Sequence, residues 1–228
     1  MKAAAIVLAA GRGSRMNSGI QKQFMELGGC PLIYYALQVF EHSSVDEVIL
    51  VTGKNETDWC RREIVDKYGF CKVRSVVPGG SERYLSVYEG LRAAQEPDIV
   101  LIHDGARPFV TDEIINRTIR SALESGSGIA AVPAKDTVRI VDETGTAVLT
   151  PPRDRVWMMQ TPQAFRYPLI YRAYQELVSR NIQNVTDDAM VLETVLNQEV
   201  KIVEGSYSNI KVTTPEDMET ARAFLKRV

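Results

Sequence analysis

The chain has 228 residues, a net charge of −2 and 25% charged residues. This balance gives no global electrostatic reason to bind nucleic acid or a membrane surface, so any site for a polyanion must be local. The length is sufficient for one large core, and no linker rich in proline, serine or glycine divides the sequence. We therefore expect a single domain over residues 1–228.

Cysteine usage and the first apolar run indicate the cellular compartment. Cys30, Cys60 and Cys71 are odd in number and lack the spacing of metal ligands. Reduced thiols in a cytoplasmic protein explain this pattern better than a disulfide framework does. Residues 3–8 form an apolar run that is too short for a signal peptide or a membrane span. We expect a cytoplasmic protein.

Strand and helix patterns alternate through the first part of the chain. Apolar runs rich in β-branched residues predict strands buried on both faces at 3–8, 47–52, 73–77, 99–103 and 129–132. Helical spacing follows at 32–40, 59–68, 87–94 and 114–123; Thr111 opens the acidic first turn of the last helix and Gly126 ends it. The alternation predicts an α/β fold with right-handed βαβ units and a mostly parallel sheet between two helical layers.

The pattern changes after Pro133. Extended runs at 137–141 and 147–149 flank a turn-rich segment at 142–145, which predicts a hairpin rather than another βα unit. We expect an arm over residues 137–157 that projects from the core, with a solvated surface loop as the alternative. Helices at 168–179, 187–196 and 215–226 and strands at 200–203 and 210–212 complete the prediction.

The loop after the first strand is the first candidate for chemistry. Residues 8–16 read LAAGRGSRM, and the segment continues to Lys22. Small residues let backbone N–H groups approach a ligand closely. The loop lacks the third glycine of a dinucleotide fingerprint and the Gly-Lys-Ser/Thr of a P-loop. The cations Arg15 and Lys22 favour a loop that binds a nucleoside triphosphate from which pyrophosphate is released. The alternative is a tight turn with no ligand.

Acidic and polar side chains follow the fourth predicted strand. Asp104 stands at its carboxyl end, where ligands bind in open α/β sheets, and could hold Mg²⁺ against phosphate oxygens. A turn cap or an ion pair with Arg107 is the alternative. We interpret His103 as a hydrogen-bonded structural residue rather than a general base.

Several later residues have a structural interpretation when each is taken alone. Ser81 is the predicted N-cap of the third helix, whose N-terminus could donate to a base, ribose or phosphate. Arg153 and Lys211 are more typical of solvated surface charges. The segment 186–188 is most simply the start of a helix, with a cap and favourable acidic residues.

Seven segments in order, spread over the whole chain, resemble the nucleotidyltransferase family, and within it the cytidylyltransferases of polyol phosphates. They are AAGRGSRM at 9–16 with Lys22 and Gln23, GGSER at 79–83, HDGARP at 103–108, VPAKDT at 132–137, TPQAF at 161–165, TDDA at 186–189, and EGSY at 204–207 with NIK at 209–211. The resemblance implies a Rossmann-like three-layer α/β sandwich with a projecting β-hairpin arm.

The same resemblance implies an activity. CMP would pass from CTP to 2-C-methyl-D-erythritol 4-phosphate, giving 4-diphosphocytidyl-2-C-methyl-D-erythritol and pyrophosphate in non-mevalonate isoprenoid precursor synthesis. Mg²⁺ or another divalent cation would be the cofactor, and two subunits would exchange their arms in a homodimer. No nucleic acid or membrane partner is implied.

Site residues are also implied by the resemblance. Stabilisation of the transition state would fall to Arg15 and Lys22. Cytosine and ribose would contact Ala9, Ala10, Gly11, Gly80 and Ser86. The metal would bind Asp104. The polyol phosphate would be held by Arg107, Thr137, Arg153, Thr186 and Lys211.

The chain departs from the family pattern at two positions, and three other functions stay open. Gln21 stands where many members have proline, and Ser81 where some have aspartate. A ribitol 5-phosphate cytidylyltransferase is the nearest alternative, although VPAKDT and EGSY favour methylerythritol phosphate. A non-catalytic nucleotide-binding regulator would be expected to lose Asp104 or a triphosphate cation. An NAD-dependent dehydrogenase would need the missing third glycine.

Overall fold

The computed structural model describes residues 1–11 and 21–226. Its strands are β1 (Ala3–Ala9), β2 (Glu26–Leu27), β3 (Cys30–Pro31), β4 (Glu47–Thr52), β5 (Val73–Pro78), β6 (Ile99–Asp104), β7 (Ser127–Pro133), β8 (Ile140–Val141), β9 (Ala147–Leu149), β10 (Trp157–Arg166) and β11 (Ile202–Glu204). Its helices are α1 (Leu32–His42), α2 (Thr57–Cys60, continued by a π-helical segment at Arg61–Asp66), α3 (Arg83–Ala93), α4 (Asp112–Ser125), α5 (Tyr167–Ser179), α6 (Asp188–Leu196) and α7 (Pro215–Leu225).

A seven-stranded sheet forms the centre, in the order β11-β7-β10-β6-β1-β4-β5. Strands β6, β1, β4 and β5 run parallel to one another, and β11 runs parallel to β7. Strand β10 is antiparallel to both of its neighbours. The predicted α/β fold with a mostly parallel sheet is confirmed, and every residue of β4 and β6 is buried as the apolar runs required.

Helices cover both faces of the sheet. On one face Phe40 of α1 and Ile115 of α4 pack in a shared apolar cluster with β1 and β4. On the other face Leu91 of α3, Tyr174 of α5 and Leu192 of α6 pack against β1 and β6. The two clusters confirm the predicted three layers, because each helix buries one apolar stripe against the sheet.

The ends of α4 follow the predicted signals. Thr111 is its N-cap and accepts a hydrogen bond from the N–H of Ile114 at 3.4 Å. Gly126 ends the helix with φ of 93°, a left-handed conformation that glycine adopts without a Cβ penalty. The local sequence therefore sets both bounds of this helix.

The sequence patterns missed one strand of the sheet and predicted another, at 210–212, that the structure does not form. Residues 157–166 form the ten-residue strand β10, which apolar periodicity did not indicate because its buried centre is polar, with Gln160, Thr161 and Gln163. The run 210–212 is not a strand. Val212 is fully buried and its N–H donates to the carbonyl of Ala106, so the apolar run marks burial rather than a sheet ladder.

The predicted hairpin is present as the antiparallel pair β8–β9. Its apolar side chains are exposed, with Ile140, Val141, Val148 and Leu149 between 50% and 59% accessible. None of the helices within residues 1–11 and 21–226 combines the length and the apolar character needed to cross a bilayer.

Candidate active site

A cleft of about 830 Å³ opens where the parallel strands β1, β4, β5 and β6 end. Parallel strands present their carboxyl ends at one edge of a sheet, so the loops that follow them meet there. The residues proposed for the site from sequence that line this cleft are Ala10, Gly11, Lys22, Gly80, Ser86, Asp104 and Lys211. Segments far apart in the sequence are thus brought to one place by the topology.

The first wall of the cleft is the loop that follows β1. Gln23 is buried, and its side-chain amide donates to the carbonyl oxygens of Ala9 and Gly11. Ala9 itself is buried in β1. Arg15 lies in the stretch 12–20, outside the described residues. The buried amide fixes Lys22, its neighbour in the chain, beside the end of β1.

The second wall is the glycine pair that follows β5. A Cβ built on Gly79 would lie 2.7 Å from both the Cβ of Ala10 and the Oγ of Ser86, so only glycine fits between the first loop and α3. The prediction that Ser81 is the N-cap of α3 is wrong: α3 begins at Arg83, so Glu82 is the cap residue, and it makes no side-chain capping bond. Because the backbone at Glu82 is extended, the helix starts one residue later than a cap at Ser81 would set it.

Asp104 lies at the floor of the cleft among three cations. Lys211 Nζ lies 2.8 Å from one carboxylate oxygen, Arg83 Nε lies 3.4 Å from the other, and Arg107 Nε is 3.9 Å away. Burial alone would raise the pKa of Asp104, but Arg83, Lys211 and Arg107 hold that pKa well below its usual range. The carboxylate is therefore ionised, and the cluster keeps an excess of positive charge that suits a polyanion.

His103 is fully buried beside this cluster. Its Nε2 donates to the carbonyl oxygen of Arg107 at 3.1 Å, so Nδ1 is left to accept from the hydroxyl of Thr161, also at 3.1 Å. Burial lowers the pKa of His103 to about 4. A neutral imidazole that makes two hydrogen bonds fits the interpretation of His103 as a structural residue, which was made from the sequence.

Four of the proposed substrate-binding residues do not line the cleft. Thr137, Arg153 and Thr186 are exposed; Arg153 donates to the carbonyl of Lys135 at 3.4 Å, and Thr186 contacts the sulfur of Met190. Arg107 is buried behind Asp104 and donates to the carbonyl of Asn209 at 2.7 Å. Its Nε finds no hydrogen-bond partner among the described residues.

Arg83 and Asp188 received no functional role from the sequence, yet they form a bidentate ion pair at the edge of the cleft. A signal was available. A cation in the first turn of a helix opposes the helix dipole, so Arg83 at the start of α3 requires a compensating carboxylate. Pairing with Asp104 and Asp188 supplies two of them.

Comparison with known proteins gives a consistent result. The model of the family described as IspD, 2-C-methyl-D-erythritol 4-phosphate cytidylyltransferase, matches residues 3–227. A protein of that name from Geobacter metallireducens is 48% identical over 227 residues, which is 97% of each chain. Another from Lachnoclostridium phytofermentans is 46% identical over 99% of this chain and 97% of its own.

Solved structures agree. The 4-diphosphocytidyl-2C-methyl-D-erythritol synthase of Anaerococcus prevotii superposes with a TM-score of 0.87 at 38% identity, over 99% of this chain and 96% of that chain. The 2-C-methyl-D-erythritol 4-phosphate cytidylyltransferase of Thermus thermophilus superposes with a TM-score of 0.79 at 29% identity, over the full length of both chains.

The pKa of His103 predicts a pH dependence of stability. Because the folded pKa is about 4 and the unfolded value is about 6.5, the unfolded chain takes up a proton first, and stability falls as the pH drops from 6.5 to 4. We expect this residue to lower the free energy of unfolding by about 2 kcal/mol between pH 7 and pH 5. Urea unfolding at several pH values measures it. His103→Gln should lose this component and His42→Gln should keep it; equal slopes in both variants would contradict the assignment.

Proposed function

This chain belongs to the 2-C-methyl-D-erythritol 4-phosphate cytidylyltransferase family, and we propose that it transfers CMP from CTP to that polyol phosphate in the cleft at the ends of β1, β4, β5 and β6. The meeting of Lys22, Asp104 and Lys211 in one cleft is the observation that carries the assignment. Two highly anionic reactants must be brought together, and fixed cations around an ionised carboxylate can do so.

CTP is the electrophile and occupies the side of the cleft formed by the first loop. Ala9, Ala10 and Gly11 approach it from β1, while Gly80 and Ser86 approach the cytosine and ribose from the turn before α3. Gly11 and Gly80 support this placement, because both line the cleft and neither carries a side chain that would exclude a ligand. The triphosphate is gripped by Lys22 and by Arg15.

The polyol phosphate is the nucleophile and occupies the side of Lys211. Arg107 supports this placement, since its buried Nε–H has a free hydrogen-bonding capacity among the described residues. Thr186 approaches from the start of α6. Thr137 and Arg153 complete the phosphate contacts from the arm of a partner subunit.

The reaction needs no general base. A phosphate monoester has its second pKa near 6, so at neutral pH the attacking oxygen is mostly ionised. That oxygen forms a bond to the α-phosphorus of CTP in line with the leaving group, the bond to the β-phosphate oxygen breaks, and pyrophosphate departs with the electron pair. Lys22 and Arg15 stabilise the negative charge that develops on the transferring phosphoryl group. A neutral, buried His103 is compatible with this chemistry because no proton has to be taken up.

Asp104 fits a divalent cation such as Mg²⁺. Its carboxylate is ionised and supplies the oxygen ligands that Mg²⁺ prefers, and such ions are commonly bound by one or two carboxylates together with substrate phosphates. No group of three or more His, Cys, Asp or Glu side chains placed to hold a metal ion occurs in the described part of the chain. When bound, the cation neutralises phosphate charge.

The exposed arm supports a homodimer. Ile140, Val141, Val148 and Leu149 are each at least half exposed, and burial of apolar surface is the main driving force of association between proteins. Burial of this surface against a second copy would explain it. The exchanged arm would then bring Arg153 to the neighbouring cleft.

The activity is tested by incubating the purified protein with CTP, Mg²⁺ and one polyol phosphate, and by measuring pyrophosphate. We expect rapid release with 2-C-methyl-D-erythritol 4-phosphate and little with ribitol 5-phosphate, because the family membership specifies the first acceptor. A preference for ribitol 5-phosphate would instead identify the protein as a ribitol 5-phosphate cytidylyltransferase. Tight binding of CTP with no release for either acceptor would indicate a regulatory protein.

Loss of a cation from the cleft should slow the reaction. We expect Lys22→Ala to lower kcat on the order of 10²–10³-fold, since it removes charge stabilisation at the transferring phosphoryl group. Lys67→Ala, which removes a lysine remote from the cleft, is the matched control. Steady-state kinetics with urea unfolding separates this effect from misfolding, and a folded Lys22→Ala protein with full turnover would refute the role.

Sharing of the site between subunits predicts complementation. Arg153→Ala disables the arm and Lys211→Ala disables the cleft, so a mixed dimer of the two variants contains one site with both residues intact. Co-expression in equal amounts should recover about one quarter of the wild-type activity, because half of the dimers are mixed and one of their two sites is complete. Activity no higher than that of the separate variants would place Arg153 in its own chain's site.

A further inference from the structure

Arg83 uses its two terminal nitrogens on one carboxylate. Nη1 lies 2.9 Å from one oxygen of Asp188, and Nη2 lies 2.8 Å from the other. Such a bidentate pair fixes the plane of the guanidinium group as well as its position. The remaining donor, Nε–H, points toward Asp104, with Nε 3.4 Å from its Oδ1.

Asp188 is itself held by two other residues of the core. The residue is fully buried, and the hydroxyl of Tyr174 in α5 donates to its carboxylate at 2.6 Å. Its backbone N–H donates to the side-chain oxygen of Gln163 in β10 at 3.1 Å. Tyr174 therefore holds the carboxylate that orients Arg83, and Gln163 holds the backbone of the same residue, so the carboxylate has little freedom to follow a moving guanidinium.

The two oxygens of Asp104 consequently face two cations from different segments. Arg83 reaches Oδ1 from the first turn of α3, and Lys211 reaches Oδ2 from the segment after β11. Lys211 is proposed to hold a substrate and will exchange its contacts when that substrate binds. Arg83 is tied to Asp188 and keeps its place, so it is the group that can define the orientation of the Asp104 carboxylate throughout the reaction.

We propose that Arg83 is a positioning residue for cytidylyl transfer, oriented by Asp188 and Tyr174 so that it fixes the Asp104 carboxylate. The inference rests on the proposed function, because Asp104 matters here as the residue that would hold the divalent cation. Arg83 acts through Asp104 and takes no part in bond making. Partners that orient a metal-binding residue typically contribute 10–100-fold in metal affinity or activity.

A purely structural role makes a different prediction. Replacement of a buried ion pair by apolar residues of similar volume is often neutral or stabilising, whereas loss of one partner leaves an uncompensated charge. If Arg83 and Asp188 serve stability alone, the double variant Arg83→Met with Asp188→Leu should fold and should have wild-type activity. If Arg83 positions Asp104, the double variant should fold and remain slow.

The test compares the double variant with wild type by urea unfolding, by titration calorimetry with CTP in the absence of added metal, and by steady-state kinetics. We expect stability close to wild type, unchanged CTP affinity, and kcat about 10–100-fold lower with the KM for CTP unchanged. Arg172→Met, which breaks an exposed ion pair on α5, is the matched control and should leave kcat unchanged.

Arg83→Lys is a second variant that keeps the positive charge but loses the planar guanidinium group and its bidentate contact. It tests the positioning role of Arg83 if the double variant fails to fold. We expect it to fold and to show the same selective loss of kcat. A folded double variant or a folded Arg83→Lys variant with wild-type kcat would overturn the inference while leaving the cytidylyltransferase active. A wild-type protein that releases no pyrophosphate would instead overturn the proposed function, and the inference with it.

Discussion

The buried carboxylate of Asp104 is the constraint on which the site depends. A carboxylate removed from water is stable only when cations and hydrogen-bond donors surround it, and here these come from three segments far apart in sequence. Arg83 begins α3, Arg107 lies in the turn after β6, and Lys211 follows β11. One charge therefore ties the start of a helix, a turn and a late loop to the edge of the central sheet.

The same arrangement explains how the chain can join two anions without a conventional acid or base. Two ionisable groups at the end of β6 are held in fixed charge states: Asp104 is kept ionised by its cations, and burial lowers the pKa of His103 so that its imidazole is neutral near physiological pH. Positive charge placed before the reaction needs no reorganisation when the phosphoryl group is transferred. The protein supplies placement and charge, and the substrate phosphate supplies its own nucleophile.

Local sequence was sufficient to predict an element where a single local feature, an apolar run or a helix cap, determined that element. Continuous apolar runs gave β1, β4 and β6, and the Thr111 cap with Gly126 gave both ends of α4. Local sequence failed to predict β10, where the buried side chains are polar and make hydrogen bonds. The centre of β10 is polar because Thr161 bonds to His103 and the N–H of Asp104, and Gln163 bonds to the start of α6, so no apolar alternation marks that strand.

The sequence by itself determined the fold class, the family and the two small-residue turns that meet at the cleft, because these depend on residue type and spacing along the chain. It also pointed to Asp104, by its position at the end of β6, and to Lys211, by resemblance to a family motif, and the structure brings both to the cleft. Only the tertiary structure decided that Arg83 and Asp188, 105 positions apart, form a bidentate pair and that Arg83 reaches Asp104. A pairing between charges on separate helices has no local signature, since it exists only once the sheet has brought α3 and α6 together.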